Sequence, residues 1–395
     1  MTEWGRDIVA APFNWWIRAF QIDEAVFMAR QPLTPPPLPG IDGSGGYVPA
    51  PYEITASPGF DAWLADLQAV VMATTYESGR LLFFGVKEDG SLIHTARTFE
   101  RAMGICADRE SLHLSALYQV WHFRNLLAPG QRFGEYDLFY APRSAHITGL
   151  LDIHDMSIEE DGRIVFANTL YSCVATFADG FSFKPVWRPP WVSKLAPEDR
   201  SHLNGLCVRD GKLRYVTAVG RTDTPEGWRP GRNGGGVLWD VQENRAVLEG
   251  LTMPHSPRWH DGRLYFINAG TGYLCEAEVE SGALREVCFC PGFARGLSLH
   301  GRYAVVGISA QRANRTFSDL PLDQNLKRHG GKGDRCAILV IDLESGHIAH
   351  QLDFRGSVNE LYDIAIVPGF QRGNAIGFQK EDVLYAINIA DASEA

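Results

Sequence analysis

"LDIHDMSIEEDGRIVFAN", residues 151–168, holds the unit from which the fold follows. Its second half reads as a strand, because Ile164, Val165 and Phe166 follow a Glu-Asp-Gly turn. Its first half is less ordinary. His154 and Asp155 stand at the start of the preceding strand, where a buried strand would carry Leu or Val.

The same shape recurs along the chain: an apolar strand, a polar turn, a second apolar strand. The other copies are "MGICADRESLHLSA", "NGLCVRDGKLRYVTA", "SPRWHDGRLYFINA", "RGLSLHGRYAVVGIS" and "YDIAIVPGFQRGNAIGF". With the first, they begin at Met103, His154, Asn204, Ser256, Arg295 and Tyr362. Spacings of about 40 to about 65 residues, with several strands per unit, are the mark of a β-propeller. Six units predict an all-β, six-bladed propeller in which each quoted segment is the innermost strand and its neighbour. Residues 70–99 hold three strands with no inner strand before them, and the last unit supplies an inner strand near the C-terminus. The two are therefore expected to share one sheet and close the ring. A stack of β-sandwiches is the rival, and the regular repeat argues against it.

The N-terminal part has another character. "APFNWWIRAFQIDEAVFMAR" reads as a short amphipathic helix, and "QPLTPPPLPGIDGSGGYVPAP" as an extended linker. We divide the chain into an arm and linker at 1–57 and a propeller at 58–395. Trp15 and Trp16 are expected to be covered, either by the body or by a second copy in a homo-oligomer. "PGFDAWLADLQ" (58–68) predicts one or two helical turns.

Composition narrows the function. Of 395 residues 45% are hydrophobic, enough for a large core, and the net charge is −10 without a basic run. That argues against nucleic acid and against anionic membranes as partners. No stretch of about 18 apolar residues predicts a transmembrane helix. The start "MTEWGRDIVAAPFNWW" lacks the basic and apolar regions of a secretory signal. Seven scattered cysteines lie mostly inside strands, which predicts buried thiols and a reducing cytoplasm. Cys288 and Cys290 share a strand face, but no CxxC pair accompanies them.

A propeller's inner strands line one channel, so their first residues crowd around the axis at one mouth. His154, His202 and His255 come from three successive units. Three neutral imidazoles with coordination positions left open suit one divalent transition metal: iron, copper or zinc. Asp155 is then either a carboxylate orienting a ring or a cap on a backbone turn. Arg295, Tyr362 and Glu360 are the candidate catalytic groups, for charge stabilisation and proton transfer. Asn204 and Arg258 are candidate substrate contacts, with Trp187 and Trp191 as an apolar wall over the mouth. Each has a plainer role open to it. Asn204 can bond loop backbone, the arginines can pair with Glu360 or Asp155, and Tyr362 can be a buried aromatic. His146 is placed near the same mouth; His260 and His300 are placed in turns away from it. The loops 220–236 and 309–336 are long for a regular scaffold, which points to function or to subunit contacts. Gly234–Gly236 lacks the strand-to-helix setting of a phosphate loop, and no Gly-x-Ser-x-Gly elbow exists.

The runs "ATTYESGRL", "TGLLDIHDM", "VWRPPWVSKLAPEDRSHLNGL", "GWRPGRNGGGV", "TMPHSPRW", "PGFARGLSLHGRYAVVG" and "NELYDIAIVPG" resemble a family of bacterial proteins of unknown function, themselves predicted to be propellers. The resemblance covers about residues 58–370 and leaves out the arm. It implies the fold and no activity. Where that family usually has Cys before His-Leu-Asn-Gly, this chain has Ser201, so a thiolate is not required there. A looser likeness, in fold and geometry only, connects the three histidines, Tyr and Arg to peptidyl-hydroxyglycine lyases more than to gluconolactonase-type lactonases. Two readings follow: a metal-dependent enzyme acting on a small polar or peptide-like substrate, and a non-catalytic binding propeller with a polar-filled channel.

Overall fold

The computed structural model describes residues 51–310, 319–378 and 382–389. Trp15, Trp16 and the predicted arm helix lie outside the described residues. The described chain opens with strand β1 (Tyr52–Ala56), helix α1 (Phe60–Leu67) and strands β2 (Ala69–Thr75), β3 (Arg80–Val86) and β4 (Leu92–Thr98). Blade 1 follows as β5 (Ile105–Ala107), β6 (Ser111–Ala116), β7 (Gln119–Asn125) and β8 (Leu138–Ile147). Blade 2 holds β9 (Ile153–Ile158), β10 (Ile164–Asn168), β11 (Cys173–Ala178) and β12 (Phe181–Trp187). Blade 3 holds β13 (Leu203–Arg209), β14 (Lys212–Ala218), β15 (Gly236–Asp240) and β16 (Arg245–Leu251). Blade 4 holds β17 (Pro254–His260), β18 (Arg263–Asn268), β19 (Tyr273–Glu278) and β20 (Ala283–Phe289). Blade 5 holds β21 (Phe293–His300) and β22 (Tyr303–Ser309), then, past helix α2 (Pro321–Arg328), β23 (Cys336–Asp342) and β24 (His347–Gly356). The chain ends with β25 (Ile364–Pro368), β26 (Gly373–Ala375) and the short helix α3 (Asp382–Tyr385).

The ring closes as the repeats predict. β25 pairs antiparallel with β2, Val71 opposite Ile366, so the sixth sheet runs β25-β2-β3-β4. The inner strands β5, β9, β13, β17, β21 and β25 touch in sequence, and β25 touches β5 again. One detail departs from the predicted strand pair at the C-terminus. After β25 the chain leaves the closing sheet, and β26 adds in parallel to the outer edge of β8 in blade 1. A chain that has just crossed the closing blade emerges beside blade 1, whose outer strand has free hydrogen-bonding groups to cover. At the other end β1, counted with the linker in the sequence, adds to β24 as a fifth strand of blade 5.

Burial follows from blades packing on both faces. β2 and β3 are buried at every position, which explains runs such as VVMATT and LLFF that do not alternate. β12, an outer strand, is exposed along most of its length. Six apolar clusters fill the six junctions between neighbouring blades. α1 closes one of them, burying Phe60, Trp63 and Leu64 between blades 5 and 6. Each fully buried Leu, Ile or Phe contributes about 1.5–3 kcal/mol. Six of the seven thiols are buried, and Cys106 is partly so. Cys288 and Cys290 sit in the junction of blades 4 and 5, where burial raises both thiols' pKa. Where inner strands approach closely, side chains give way to hydrogen. At Gly296 (φ +73°) a Cβ would stand 2.7 Å from Cα of Asp363.

Candidate functional site

The residue before or at the start of several inner strands takes a left-handed backbone. Asp152 (φ 52°), His202 (φ 48°) and Met253 (φ 50°) do so at the entrances of β9, β13 and β17. That conformation is strained for residues other than glycine, and such strain gathers at functional positions. Here it folds the chain back so that a side-chain nitrogen meets a nearby oxygen. His154 Nδ1 lies 2.8 Å from the Asp152 carbonyl, and His255 Nδ1 lies 2.9 Å from the Met253 carbonyl. His202 Nδ1 lies 2.8 Å from Asp199 Oδ2. A carbonyl or carboxylate oxygen only accepts, so each Nδ1 donates, and in the neutral ring this leaves Nε2 as the lone pair.

The three histidines line one axial pocket of about 250 Å³. All six blades contribute to it: Tyr76 and Tyr362 from blade 6, Arg101 and Met103 from blade 1, Asp152 and His154 from blade 2. His202, Trp228 and Arg229 come from blade 3, Met253 and His255 from blade 4, Phe293 and Arg295 from blade 5. The His154 and His202 rings are 5.0 Å apart, edge to face. Two imidazoles on one tetrahedral ion have ring centres about 5 Å apart, given nitrogen–metal bonds of about 2.0–2.1 Å. His255 instead packs on Phe293, with ring centres 6.0 Å apart. Among the described residues no set of three His, Cys, Asp or Glu side chains is spaced to hold an ion as placed.

Protonation states suit ligands rather than cations. Burial, then the neighbouring His202, holds His154 well below the ordinary imidazole range. Burial, then Arg295, lowers His255 to about 3. Both are neutral at pH 7. Tyr362 is 5% exposed, and its hydroxyl has no hydrogen-bond partner among the described residues. Burial lifts its pKa well above the usual phenol value, so it stays a donor.

Other expected site residues go elsewhere. Glu360 lies behind the pocket wall: Oε1 accepts the backbone N–H of Tyr76 and of Glu77, and Oε2 pairs with Arg295 at 3.4 Å. It positions Arg295 and does not line the pocket. Arg258 also leaves the mouth. It grips Asp155 with both terminal nitrogens, donates to the carbonyls of Leu206, Pro257 and Leu297, and stands 3.8 Å from Asp363. Asp155 is thus the partner of an arginine and of the Leu206 N–H, not of an imidazole. Asn204 accepts from the Thr217 hydroxyl within its own blade. Trp187 and Trp191 pack in the junction of blades 2 and 3; Trp191 donates to Ser201 and meets Trp239 edge on. Apolar burial between blades outweighs exposure over the mouth for both. His146 sits on β8, an outer strand, bonded to the Phe181 carbonyl. His260 bonds the Gly301 carbonyl, in a turn as expected.

The wall they were expected to form is made by Trp228. Its indole N–H donates to Asp199 Oδ2, and its ring lies 4.2 Å from that of His202. The loop 220–236 that carries it is conspicuous by its length. Tyr76, Arg101, Asp152 and Arg229 carry no comparable sequence signal.

A six-bladed propeller with an imidazole-rich axial pocket is the class that fold and site define. The chain belongs to the family described as domain of unknown function DUF4915, which matches residues 58–376. No curated protein matches it. Among solved structures it is similar to a nidogen/laminin complex (11% identity, 76% of this chain and 98% of that one, TM-score 0.49). It is also similar to a putative gluconolactonase (11%, 67% and 91%, TM-score 0.40). A third is a catalytically inactive variant of virginiamycin B lyase from Staphylococcus aureus with quinupristin (9%, 77% and 99%, TM-score 0.36). Likeness at this level says nothing of chemistry. No helix among the described residues is long and apolar enough to cross a membrane.

Proposed function

We propose that the axial pocket binds one divalent transition metal through His154, His202 and His255 and acts on a small polar or peptide-like substrate. The supporting observation is the shared commitment of all three Nδ1 atoms to oxygen acceptors, which turns three bare Nε2 atoms to ligand duty. Metal-binding histidines are held in this way, and the Asp199–His202 pair is the carboxylate form of it. Full coordination asks the His255 ring to turn from Phe293 toward the other two. Bound there, the ion (iron, copper or zinc) supplies a Lewis-acid or redox centre. The chain's own part is to hold and neutralise. Arg295, fixed from behind by Glu360, faces negative charge developing on the substrate. Tyr362 offers its unpartnered hydroxyl as a proton or hydrogen-bond donor. Trp228, Met253 and Phe293 exclude water from one side.

The spacing of the histidines as placed favours a second reading, a metal-free binding pocket in a non-catalytic propeller. Elemental analysis of protein purified without a polyhistidine tag separates the two. The enzyme reading expects about one equivalent of metal per chain. It expects His202→Asn to lose most of it at unchanged thermal stability, since Asn tolerates the left-handed backbone there (φ 48°). Failure of the wild type to take up Zn²⁺, Cu²⁺ or Fe²⁺ on reconstitution hands the site to the binding reading.

A further inference from the structure

One wall of the pocket is a four-layer stack. The guanidinium of Arg295 lies 4.8 Å over the Tyr362 ring. Tyr362 stacks on Tyr76, with centres 6.0 Å apart and planes 25° apart. The guanidinium of Arg101 lies 4.7 Å over Tyr76 and donates to its hydroxyl at 2.5 Å. Cations over both ends of an aromatic pair lock the four side chains into one rigid surface. Tyr362 is the one whose hydroxyl is left without a partner among the described residues, although it is nine-tenths buried and lines the cavity. Leaving a buried hydroxyl unmatched is costly, so a site that does so is built for something that arrives later.

What arrives is constrained by the neighbours. The carboxylates nearest the wall are already engaged. Asp152 pairs with Arg101 at 3.4 Å, and Glu360 is tied to Arg295 and to two backbone N–H groups. Arg229, at the rim, pairs with Glu226 at 2.7 Å. A guanidinium carries a fork of donor hydrogens, so Arg295 can hold Glu360 behind it and still face the cavity that it lines. A phenol hydroxyl with its donor hydrogen unused, beside a guanidinium, matches an oxyanion. Trp228, Met253 and Phe293, which also line the cavity, match an apolar body. A cavity of about 250 Å³ admits a molecule of about ten non-hydrogen atoms.

We propose that this pocket takes a small monocarboxylate with a compact apolar body, its carboxylate received by the Tyr362 hydroxyl and the Arg295 guanidinium. The proposal deepens the reading of the pocket as a substrate site and rests on it, but not on the metal. A carboxylate oriented in this way can turn its remaining side toward the imidazoles, so the anion and an ion held there would strengthen each other's binding.

Calorimetric titration with benzoate, and with benzamide as its neutral counterpart, tests this on the full chain. Benzoate is expected to bind at least about tenfold more tightly than benzamide. Tyr362→Phe keeps the ring, the stack and the burial and removes only the hydroxyl. It is expected to weaken benzoate about tenfold, leave benzamide unchanged and leave the thermal midpoint no lower than that of the wild type, since the hydroxyl it removes is unmatched in the empty pocket. Equal affinity for benzoate and benzamide, or full benzoate affinity in Tyr362→Phe, overturns the proposal. Repeating the titration after dialysis against EDTA keeps the two readings apart. Benzoate binding that survives with protein that never holds metal upholds the carboxylate subsite while the metal reading fails. No benzoate binding to either metal-loaded or stripped protein overturns the subsite, whatever the metal content.

Discussion

Arg258 on the inner strand of blade 4 reaches across the channel to Asp155 on that of blade 2 and holds it bidentately, at 2.8 and 3.0 Å. Asp363, at the start of the inner strand of blade 6, faces the same guanidinium at 3.8 Å. Alternate blades are thus tied at the axis by one cation between two carboxylates. Removing the cation leaves the buried Asp155 charge without its partner, beside the Asp363 carboxyl. Arg258→Met is expected to cost about 3–5 kcal/mol in urea unfolding. Pairing it with Asp155→Leu is expected to recover part of that loss, because a missing charge destabilises less than an unmatched one. A single substitution with no effect would show that the pair contributes nothing to the ring.

The same cluster gives the protein a pH dependence. Burial, then the charge of Asp155, pushes the Asp363 carboxyl up to about 8 from 3.8, against the opposing pull of Arg258 and of the N–H groups of Ile105 and Ile364. The groups facing it are Asp155, Arg258 and the thiol of Cys106. The folded value lies above the unfolded one, so folded protein holds a proton that the unfolded chain releases. That stability is complete below about pH 4 and is lost as pH rises through about 8. The loss is at most about 1.4 kcal/mol per pH unit for one group. Chemical denaturation across this range should show Asp363→Asn with a flatter profile than the wild type between about pH 4 and about pH 8. Parallel profiles would remove Asp363 as the cause.

Asp199 serves two partners in the mouth. Its Oδ2 receives the Nδ1 of His202 at 2.8 Å and the indole N–H of Trp228 at 2.9 Å. Asp199→Asn keeps the left-handed backbone (φ 43°) and the side-chain shape but removes the carboxylate that holds His202 Nδ1. Metal titration is expected to show an affinity about tenfold lower, with little change in thermal stability. Unchanged affinity would reduce Asp199 to a latch for the Trp228 loop.

The blades were legible because their signal is local. Each turn and each apolar run is written in about fifteen consecutive residues, and six copies in order leave one way to close the ring. Even the recurrence of His154, His202 and His255 at strand entrances could be read, because equivalent positions in equivalent units meet at the axis whatever lies between them. The direction of a given side chain within the channel was not legible. His255 and Arg258 are three residues apart on one strand, and the ladder of β17 with β18 is irregular between them. His255 lines the mouth and Arg258 pairs beneath it with Asp155, and the register between them depends on the neighbouring strand. The covering of the mouth was decided from still farther away. Trp191 and Trp228 are both long-loop tryptophans in the sequence. Trp191 lies near the Trp239 ring and the Ser201 hydroxyl, whereas Trp228 lies near Asp199 and His202. The sequence by itself determined the repeat, the closure and the three imidazoles, since periodicity and turn chemistry act over short stretches of chain. Only the tertiary structure decided that Arg258 and Asp155 tie the axis and that Tyr76, Arg101 and Trp228 build the pocket, because pairing and burial depend on residues brought together from different blades.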